Sequence, residues 1–230
     1  MSKDYADVLG RLKEEREIHK ISQVEMGQFM RMTQSHYSKA ELGKKRFSYY
    51  EMMYLCDTAL DLYYIYSGQR GIEKYKKLFG SCTYSELLGY MSVLIDTAKV
   101  MSINKYDGVW KKLYLCTRNV HYAVNSVEGN PYYALRVSMN YSQIRMSSLL
   151  GMDVKKYRSL EYEKIMPDSE MLCKIYKEFN IHPSILLKDV KGIIYEVGEW
   201  LEQLEYGERE LVQGYFVNCH NMVLSTANIV

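Results

Sequence analysis

Two stretches of this chain carry polar and basic side chains of the kind that hydrogen-bond to other molecules. In the first stretch these side chains are Thr33, Gln34, Ser35, His36, Ser38, Lys39, Lys44, Lys45 and Arg46. Carboxamide and hydroxyl groups both donate and accept hydrogen bonds, whereas Lys and Arg supply positive charge. Between residues 31 and 46, five bases stand against one acid, Glu41. This composition predicts a surface that binds a polyanion.

The second stretch repeats the pattern of the first about 120 residues later. Without gaps, Ser22-Gln23 aligns with Ser142-Gln143, Met26 with Met146, Met30 with Leu150, Met32 with Met152, Tyr37 with Tyr157 and Glu41 with Glu161. The corresponding polar and basic side chains are Gln143, Lys155, Lys156 and Arg158. A shared spacing of this length predicts one supersecondary unit that is used twice.

The elements that position these side chains are predicted to be helices, because apolar residues recur at three- and four-residue steps. Ser22 and Glu25 have the spacing of a capping box at the start of a helix over 23–30. Thr33 caps a second short helix over 34–42, and Gly43 stops it. The first copy therefore consists of two short helices joined by a tight turn.

The remaining segments also have helical periodicity. In the second copy, Ser142 and Asp153 are the predicted caps, Gly151 makes the turn, and a longer helix covers 169–179. Two long helices, 85–101 and 106–127, are expected between the copies and meet at 102–105. A final pair, 190–204 and 208–224, follows the second copy. The whole chain is predicted to be all-α.

Both copies resemble the Xre/Cro family of phage-repressor-like helix-turn-helix domains. The matching positions in the first copy are Ser22, Gln23, Gly27, Met30, Met32, Thr33, Glu41, Gly43 and Lys44 to Arg46, and in the second Ser142, Gln143, Ser147, Leu150, Gly151, Met152, Asp153, Glu161, Lys164 and Pro167. Arg31 replaces the turn glycine in the first copy, and Glu163 replaces the glycine after Glu161 in the second. The resemblance implies two lambda-repressor-like helix-turn-helix domains, 1–70 and 130–189. A helical hairpin at 71–129 joins them, and a C-terminal helix pair at 190–230 follows.

The resemblance also implies that the second short helix enters the major groove of double-stranded DNA, which is about 12 Å wide and admits one helix. Gln23 and Gln143 would touch a phosphate and brace that helix. Gln34 would pair with adenine, and Lys39 with guanine or a phosphate. The full set of expected DNA-binding residues is Gln23, Thr33, Gln34, Ser35, His36, Ser38, Lys39, Lys44, Lys45, Arg46, Gln143, Lys155, Lys156 and Arg158.

The two copies are expected to differ in role. The first carries amides and hydroxyls and is interpreted as the main base reader. The second is more basic around Lys155, Lys156 and Arg158, and it is interpreted as a binder of the DNA backbone or as a partner surface.

Composition and motifs argue against several other classes. The sequence has no phosphate loop, no Gly-x-Ser-x-Gly and no His-Glu-x-x-His, so we expect no enzyme and no cofactor. Five scattered cysteines predict reduced, mostly buried thiols, and Cys116 with His121 makes no metal site alone. The polar N-terminus and the absence of a run of about 18 apolar residues predict a cytoplasmic protein without a membrane anchor.

The sequence therefore favours a sequence-specific transcription regulator, and it does not distinguish a repressor from an activator. In one arrangement, a single chain places two helices on DNA. In another, the first copy binds DNA while the second copy and the long helices form a homodimer. A peptide or small-molecule effector at the middle helices is a variant of either arrangement. The rival class is an antitoxin-like or scaffold protein whose repeats bind a protein partner.

Overall fold

The computed structural model of the chain describes residues 2–101, 130–202 and 204–227. Every regular element in these ranges is a helix, which confirms the all-α prediction for the described part of the chain. The first seven α-helices are α1 (Lys3–Ile18), α2 (Gln23–Phe29), α3 (Gln34–Glu41), α4 (Tyr49–Met53), α5 (Leu62–Ser67), α6 (Lys74–Phe79) and α7 (Tyr84–Met101), with a 3₁₀ helix at Tyr54–Asp57. The others are α8 (Pro131–Ser138), α9 (Gln143–Leu149), α10 (Val154–Glu161), α11 (Ser169–Phe179), α12 (Pro183–Leu187), α13 (Val190–Glu202) and α14 (Tyr206–Ala227).

Side-chain caps begin the short helices at the predicted residues. The Ser22 hydroxyl accepts a hydrogen bond from the Glu25 amide, and the Glu25 carboxylate accepts one from the Ser22 amide, so the capping box at α2 is confirmed. At α3, Thr33 Oγ1 accepts from the His36 amide at 3.2 Å. Because these caps satisfy amides that a helix N-terminus leaves free, they fix the first residue of each short helix.

The backbone of α8–α12 repeats that of α1–α5. Residues with positive φ lie just after the ends of corresponding helices, 120 positions apart, in the pairs Lys20 and Asn140, Arg31 and Gly151, Gly43 and Glu163, and Gly68 and Lys188. The caps correspond as well, since Ser142 begins α9 and Asp153 begins α10. Helices α1–α5 are termed the first unit, and helices α8–α12 the second unit.

Equivalent residues form the interior of each unit. Met26 of α2 and Tyr37 of α3 are buried, as are Met146 of α9 and Tyr157 of α10. The turn between α2 and α3 leaves almost no room, because a Cβ on Gly27 would lie 2.9 Å from the carbonyl oxygen of Met32. Burial of these apolar side chains holds the two short helices of each unit together.

The two units pack against each other through several pairs of helices. Helix α5 contacts α12, and the ring of Tyr63 lies 4.6 Å from that of His182 at the start of α12. Helix α11 also packs against α1, where Tyr5 Oη and Ser169 Oγ are 2.6 Å apart. The contact of α5 with α12 joins equivalent helices, as an isologous interface does, whereas α1 and α11 are not equivalent because α11 corresponds to α4.

The C-terminal helices belong to the same core. Helix α13 packs against α5, α6 and α7, and α14 packs against α7. Val197 and Leu201 of α13 are fully buried. Residues 190–202 are therefore part of the packed body of the protein.

The helix boundaries differ from the predictions in a few places. Helix α6 was not expected from the sequence, and α4 ends at Met53 and continues as a 3₁₀ helix. The last helix begins at Tyr206, where a break was predicted. The predicted helix over 106–127 and its joint at 102–105, with Cys116 and His121, lie outside the described residues. Across the described helices, none combines the length and apolar character needed to cross a membrane.

Candidate nucleic-acid interface

Helix α3 presents one polar side to solvent and buries the other. Thr33, Gln34, Ser35 and Lys39 are exposed, and His36 and Ser38 are half-buried. On the opposite side Tyr37 and Ala40 have no exposed surface. The predicted contact residues of this helix therefore share one open face.

A chain of hydrogen bonds connects this open face to the interior of the first unit. Arg16 Nε donates to Glu41 Oε1 at 2.7 Å, and Gln23 Nε2 donates to Glu41 Oε2 at 2.8 Å. Gln34 Nε2 in turn donates to Gln23 Oε1 at 3.1 Å. The four residues Arg16, Glu41, Gln23 and Gln34 are termed the first ladder. Since a carboxylate only accepts, the amide nitrogen of Gln23 must face Glu41, and its oxygen faces Gln34.

The second unit contains an equivalent set of contacts. Arg136 Nε donates to Glu161 Oε1 at 2.5 Å, and Gln143 Nε2 donates to Glu161 Oε2 at 2.6 Å. The last residue is an arginine and not a glutamine, since Arg158 Nε donates to Gln143 Oε1 at 2.9 Å where Gln34 donates to Gln23 in the first ladder. These four residues, Arg136, Glu161, Gln143 and Arg158, are termed the second ladder.

The charged pair of the first ladder is shielded from water. The exposed fractions of the Arg16 and Glu41 side chains are 11% and 4%. Burial alone would raise the pKa of the Glu41 carboxyl, but hydrogen bonds from Arg16, Gln23 and Tyr37 outweigh it, and the pKa lies below its ordinary value. Burial likewise opposes the charge on Arg16, yet the bond to Glu41 raises the pKa of the guanidinium. Both groups are therefore charged at neutral pH.

Arg16 and Arg136, the buried arginines of the two ladders, were not among the sequence-predicted site residues. Arg16 and Arg136 lie ahead of the aligned motifs but are again 120 positions apart. Each also donates from Nη1 to a backbone carbonyl, to Ile21 at 3.1 Å and to Tyr141 at 3.0 Å. The gapless alignment, extended towards the N-terminus, places Arg16 on Arg136 and would have identified both residues from the sequence.

In the turn between α2 and α3, Arg31 adopts the left-handed backbone conformation at the position where the second unit has Gly151. Arg31 has φ 54°, and Gly151 has φ 64°. A left-handed residue that bears a side chain costs about 1 kcal/mol. The guanidinium carbon of Arg31 lies 4.4 Å from the centre of the Tyr54 ring, and this cation–π contact offsets part of that cost, by about 0.5–1 kcal/mol.

The loop after α3 contains three exposed basic residues, Lys44, Lys45 and Arg46. Arg46 reaches the second unit, where its Nε donates to Glu170 Oε2 at 2.5 Å and its Nη1 lies 3.9 Å from Asp168 Oδ2. These residues line a cleft of about 540 Å³ between the loop and the second unit. Arg46 thus compensates acidic residues of the other unit, while Lys44 and Lys45 extend from the same loop.

Helix α10 presents a more basic face than α3. Lys155, Lys156 and Arg158 are exposed, whereas Val154, at the position equivalent to Gln34, is half-buried. The two units therefore share the Arg–Glu–Gln contacts behind their exposed helices but display different side chains.

Comparison of the chain with protein-family models, curated proteins and solved structures gives no match. The candidate interface therefore rests on its own geometry. In the part of the chain that the structure describes, no three or more His, Cys, Asp or Glu side chains cluster in a way that could hold a metal ion. Burial raises the pKa of the Cys82 and Cys173 thiols to about 11, so both are protonated at neutral pH.

Proposed function

We propose that this chain is a cytoplasmic, sequence-specific transcription regulator that binds double-stranded DNA through two helix-turn-helix units of the Xre/Cro type. The observation that carries the proposal is the pair of ladders, each of which joins an exposed polar helix to a buried ion pair. A helix that is held on one side and open on the other suits the major groove.

In this proposal α3 is the main base reader. After its bond to Gln23, the carboxamide of Gln34 retains its oxygen and one amide hydrogen. One acceptor and one donor side by side are what bidentate pairing with adenine requires. Lys39 lies on the exposed face of α3, five residues after Gln34, and contacts guanine or a phosphate. Lys44 and Lys45 contact backbone phosphates, which fix the register of the protein without reading sequence.

The packing of α5 against α12 supports the use of both units on one duplex. Here equivalent helices contact each other, as they do at the interface of a symmetric dimer. We infer that α3 and α10 enter successive major-groove faces, about 34 Å apart. One chain would then cover two half-sites.

Fluorescence anisotropy on random-sequence and genome-derived duplexes at two salt concentrations tests the proposal. We expect the affinity to fall steeply with salt, with a log–log slope near −0.9 for each neutralised phosphate. Absence of salt-dependent binding to any duplex would refute the proposed function.

Two variants separate the roles of base reading and backbone contact. Gln34→Ala should relax specificity and cost roughly 1–3 kcal/mol on the best site, whereas Lys45→Ala should weaken all duplexes to a similar degree. Lys13→Ala is a matched control, because Lys13 is an exposed lysine of α1 outside the proposed interface. A site-selective loss with Lys45→Ala would contradict this division of roles.

The rival class, an antitoxin-like or scaffold protein, is favoured by one observation. Apolar side chains are exposed at equivalent positions of the two units, namely Val24 and Ile144, Phe29 and Leu149, and Leu42 and Tyr162. Such positions suit a protein partner. If no duplex binds, the next experiment is a search for protein partners with the wild-type chain and with a variant in which Ile144 and Leu149 are replaced by serine. A partner that binds through this surface should bind the wild type and not the variant.

A further inference from the structure

The orientation of Arg158 is set by hydrogen bonds that begin in the core of the second unit. Gln143 must direct its amide nitrogen towards the Glu161 carboxylate, which only accepts, at 2.6 Å. Its oxygen therefore faces Arg158 and accepts from Nε at 2.9 Å. Glu161 is itself held by Arg136. The exposed guanidinium is thus connected through Gln143 to the buried Arg136–Glu161 pair.

This arrangement leaves the Nη1 and Nη2 groups of Arg158 available to donate hydrogen bonds to another molecule. Of the five N–H groups of an arginine side chain, the bond to Gln143 uses the one on Nε. Of the four N–H groups on Nη1 and Nη2, one from each nitrogen points outward from the end of the side chain, and these two parallel donors form a planar fork. Two parallel donors from such a fork match the N7 and O6 acceptors of guanine in the major groove.

The first ladder ends on the same helix face with different chemistry. Gln34 is equivalent to Val154, and Arg158 follows Val154 by four residues, which is about one helical turn. Each ladder therefore presents one braced side chain, an amide on α3 and a guanidinium on α10. Lys155 and Lys156, by contrast, are exposed side chains suited to phosphates, which need charge but no fixed fork.

We propose that Arg158 reads a guanine, so that the second unit is a base reader and the target consists of two unlike half-sites. This inference rests on the proposed function of DNA binding. It assigns Arg158 a role other than the backbone contact expected from the basic sequence of α10. Gln143 acts through Arg158 as a positioning residue, because its oxygen holds the guanidinium before DNA arrives. A side chain that is already ordered loses less entropy when it forms a bidentate contact.

The test begins with selection of bound duplexes from a randomised library by the full-length wild-type chain. The selected duplex is then synthesised with each guanine of the second half-site replaced in turn by adenine or by 7-deazaguanine, which lacks the N7 acceptor. We expect one guanine at which replacement by adenine weakens wild-type binding by about 5- to 150-fold. Loss of N7 alone at that guanine should weaken binding by a smaller factor.

Arg158→Lys provides the decisive comparison, because it retains the charge and removes the fork. This variant should discriminate guanine from adenine and 7-deazaguanine less than the wild type does, because a lysine can still contact guanine but lacks the planar fork, and its salt slope should be unchanged. Gln143→Ala should weaken the guanine preference in the same direction. Lys156→Ala is the matched control, and it should weaken all duplexes alike and retain the preference.

The possible failures can be told apart. If the wild-type chain enriches no duplex, both the proposed function and this inference are rejected. If it enriches a duplex but Arg158→Lys discriminates guanine as the wild type does, only the inference is rejected. Two identical half-sites in the selected duplex would also reject the inference.

Discussion

Replacement of Glu41 by alanine tests whether the first ladder holds α3 to the core. The carboxylate accepts hydrogen bonds from Arg16 at 2.7 Å, Gln23 at 2.8 Å and Tyr37 at 2.9 Å, and the substitution removes all three. The Arg16 side chain is only 11% exposed, and after the substitution the carboxylate that remains near it is that of the exposed Glu17, 3.3 Å from Nη2. Removal of one partner from a buried ion pair costs about 3–5 kcal/mol, and we expect a loss of this size in the free energy of unfolding.

Urea unfolding at neutral pH, followed by circular dichroism, measures this loss. With a denaturant slope of about 3 kcal/mol/M, the unfolding midpoint should fall by more than about 1 M. Lys13→Ala is the matched control in α1, because the Lys13 side chain is 57% exposed and its Nζ lies 3.9 Å from Glu17 Oε1. An exposed pair of this kind contributes little, so the control should change stability by no more than about 0.5 kcal/mol.

A second substitution identifies the source of the loss. Arg16→Met in the Glu41→Ala background removes the remaining buried charge and should recover part of the stability, because apolar groups can replace buried ion pairs at little cost. A loss below about 1 kcal/mol in Glu41→Ala, or no recovery in the double variant, would refute the view that the buried pair anchors α3.

Two further predictions concern the C-terminal helices. A Cβ on Gly198 would lie 2.4 Å from a ring carbon of Tyr75, so Gly198→Ala should lower the melting temperature, whereas Gly214→Ala, with no atom within 4 Å, should stabilise α14 by about 0.5–1 kcal/mol. Thermal melts that move in the same direction for both variants would contradict the predicted contact. Burial raises the pKa of the Glu196 carboxyl to about 8. Between about pH 4.5 and pH 8 this carboxyl is therefore ionised in the unfolded chain but protonated in the folded protein. The free energy of unfolding should fall as the pH rises through this window. Glu196→Gln should flatten that fall and be more stable than wild type at pH 8; equal pH slopes in urea titrations would show that Glu196 does not cause it.

Local sequence signals predicted much of the fold correctly. Ser22 with Glu25, Thr33 and Asp153 begin their helices as predicted, because a cap depends on residues only two or three positions apart. The gapless alignment predicted equivalent burial of Tyr37 and Tyr157 for a similar reason, since both lie on the inner face of a helix of known period.

Features that depend on contacts between distant segments could not be predicted. Arg46 has the sequence context of a free basic loop, but it pairs with Glu170, 124 residues away. Glu163 and Lys188 adopt left-handed backbone at the ends of helices, a conformation that glycine or asparagine usually takes, so their residue types did not indicate it. Helix α6 has no side-chain cap, and its position depends on packing against α13, so its sequence carries little local signal.

The contact between α5 and α12 joins two parts of a single polypeptide. Dilution cannot separate them, because the covalent chain keeps each near the other however few molecules are present. Separate subunits would have to meet at a concentration near their dissociation constant before they formed such a surface. Even at very low concentration, every folded molecule would therefore present both exposed helices. Because the two units are encoded separately, a substitution on the surface of one unit leaves the other unit unchanged, which is impossible in a homodimer.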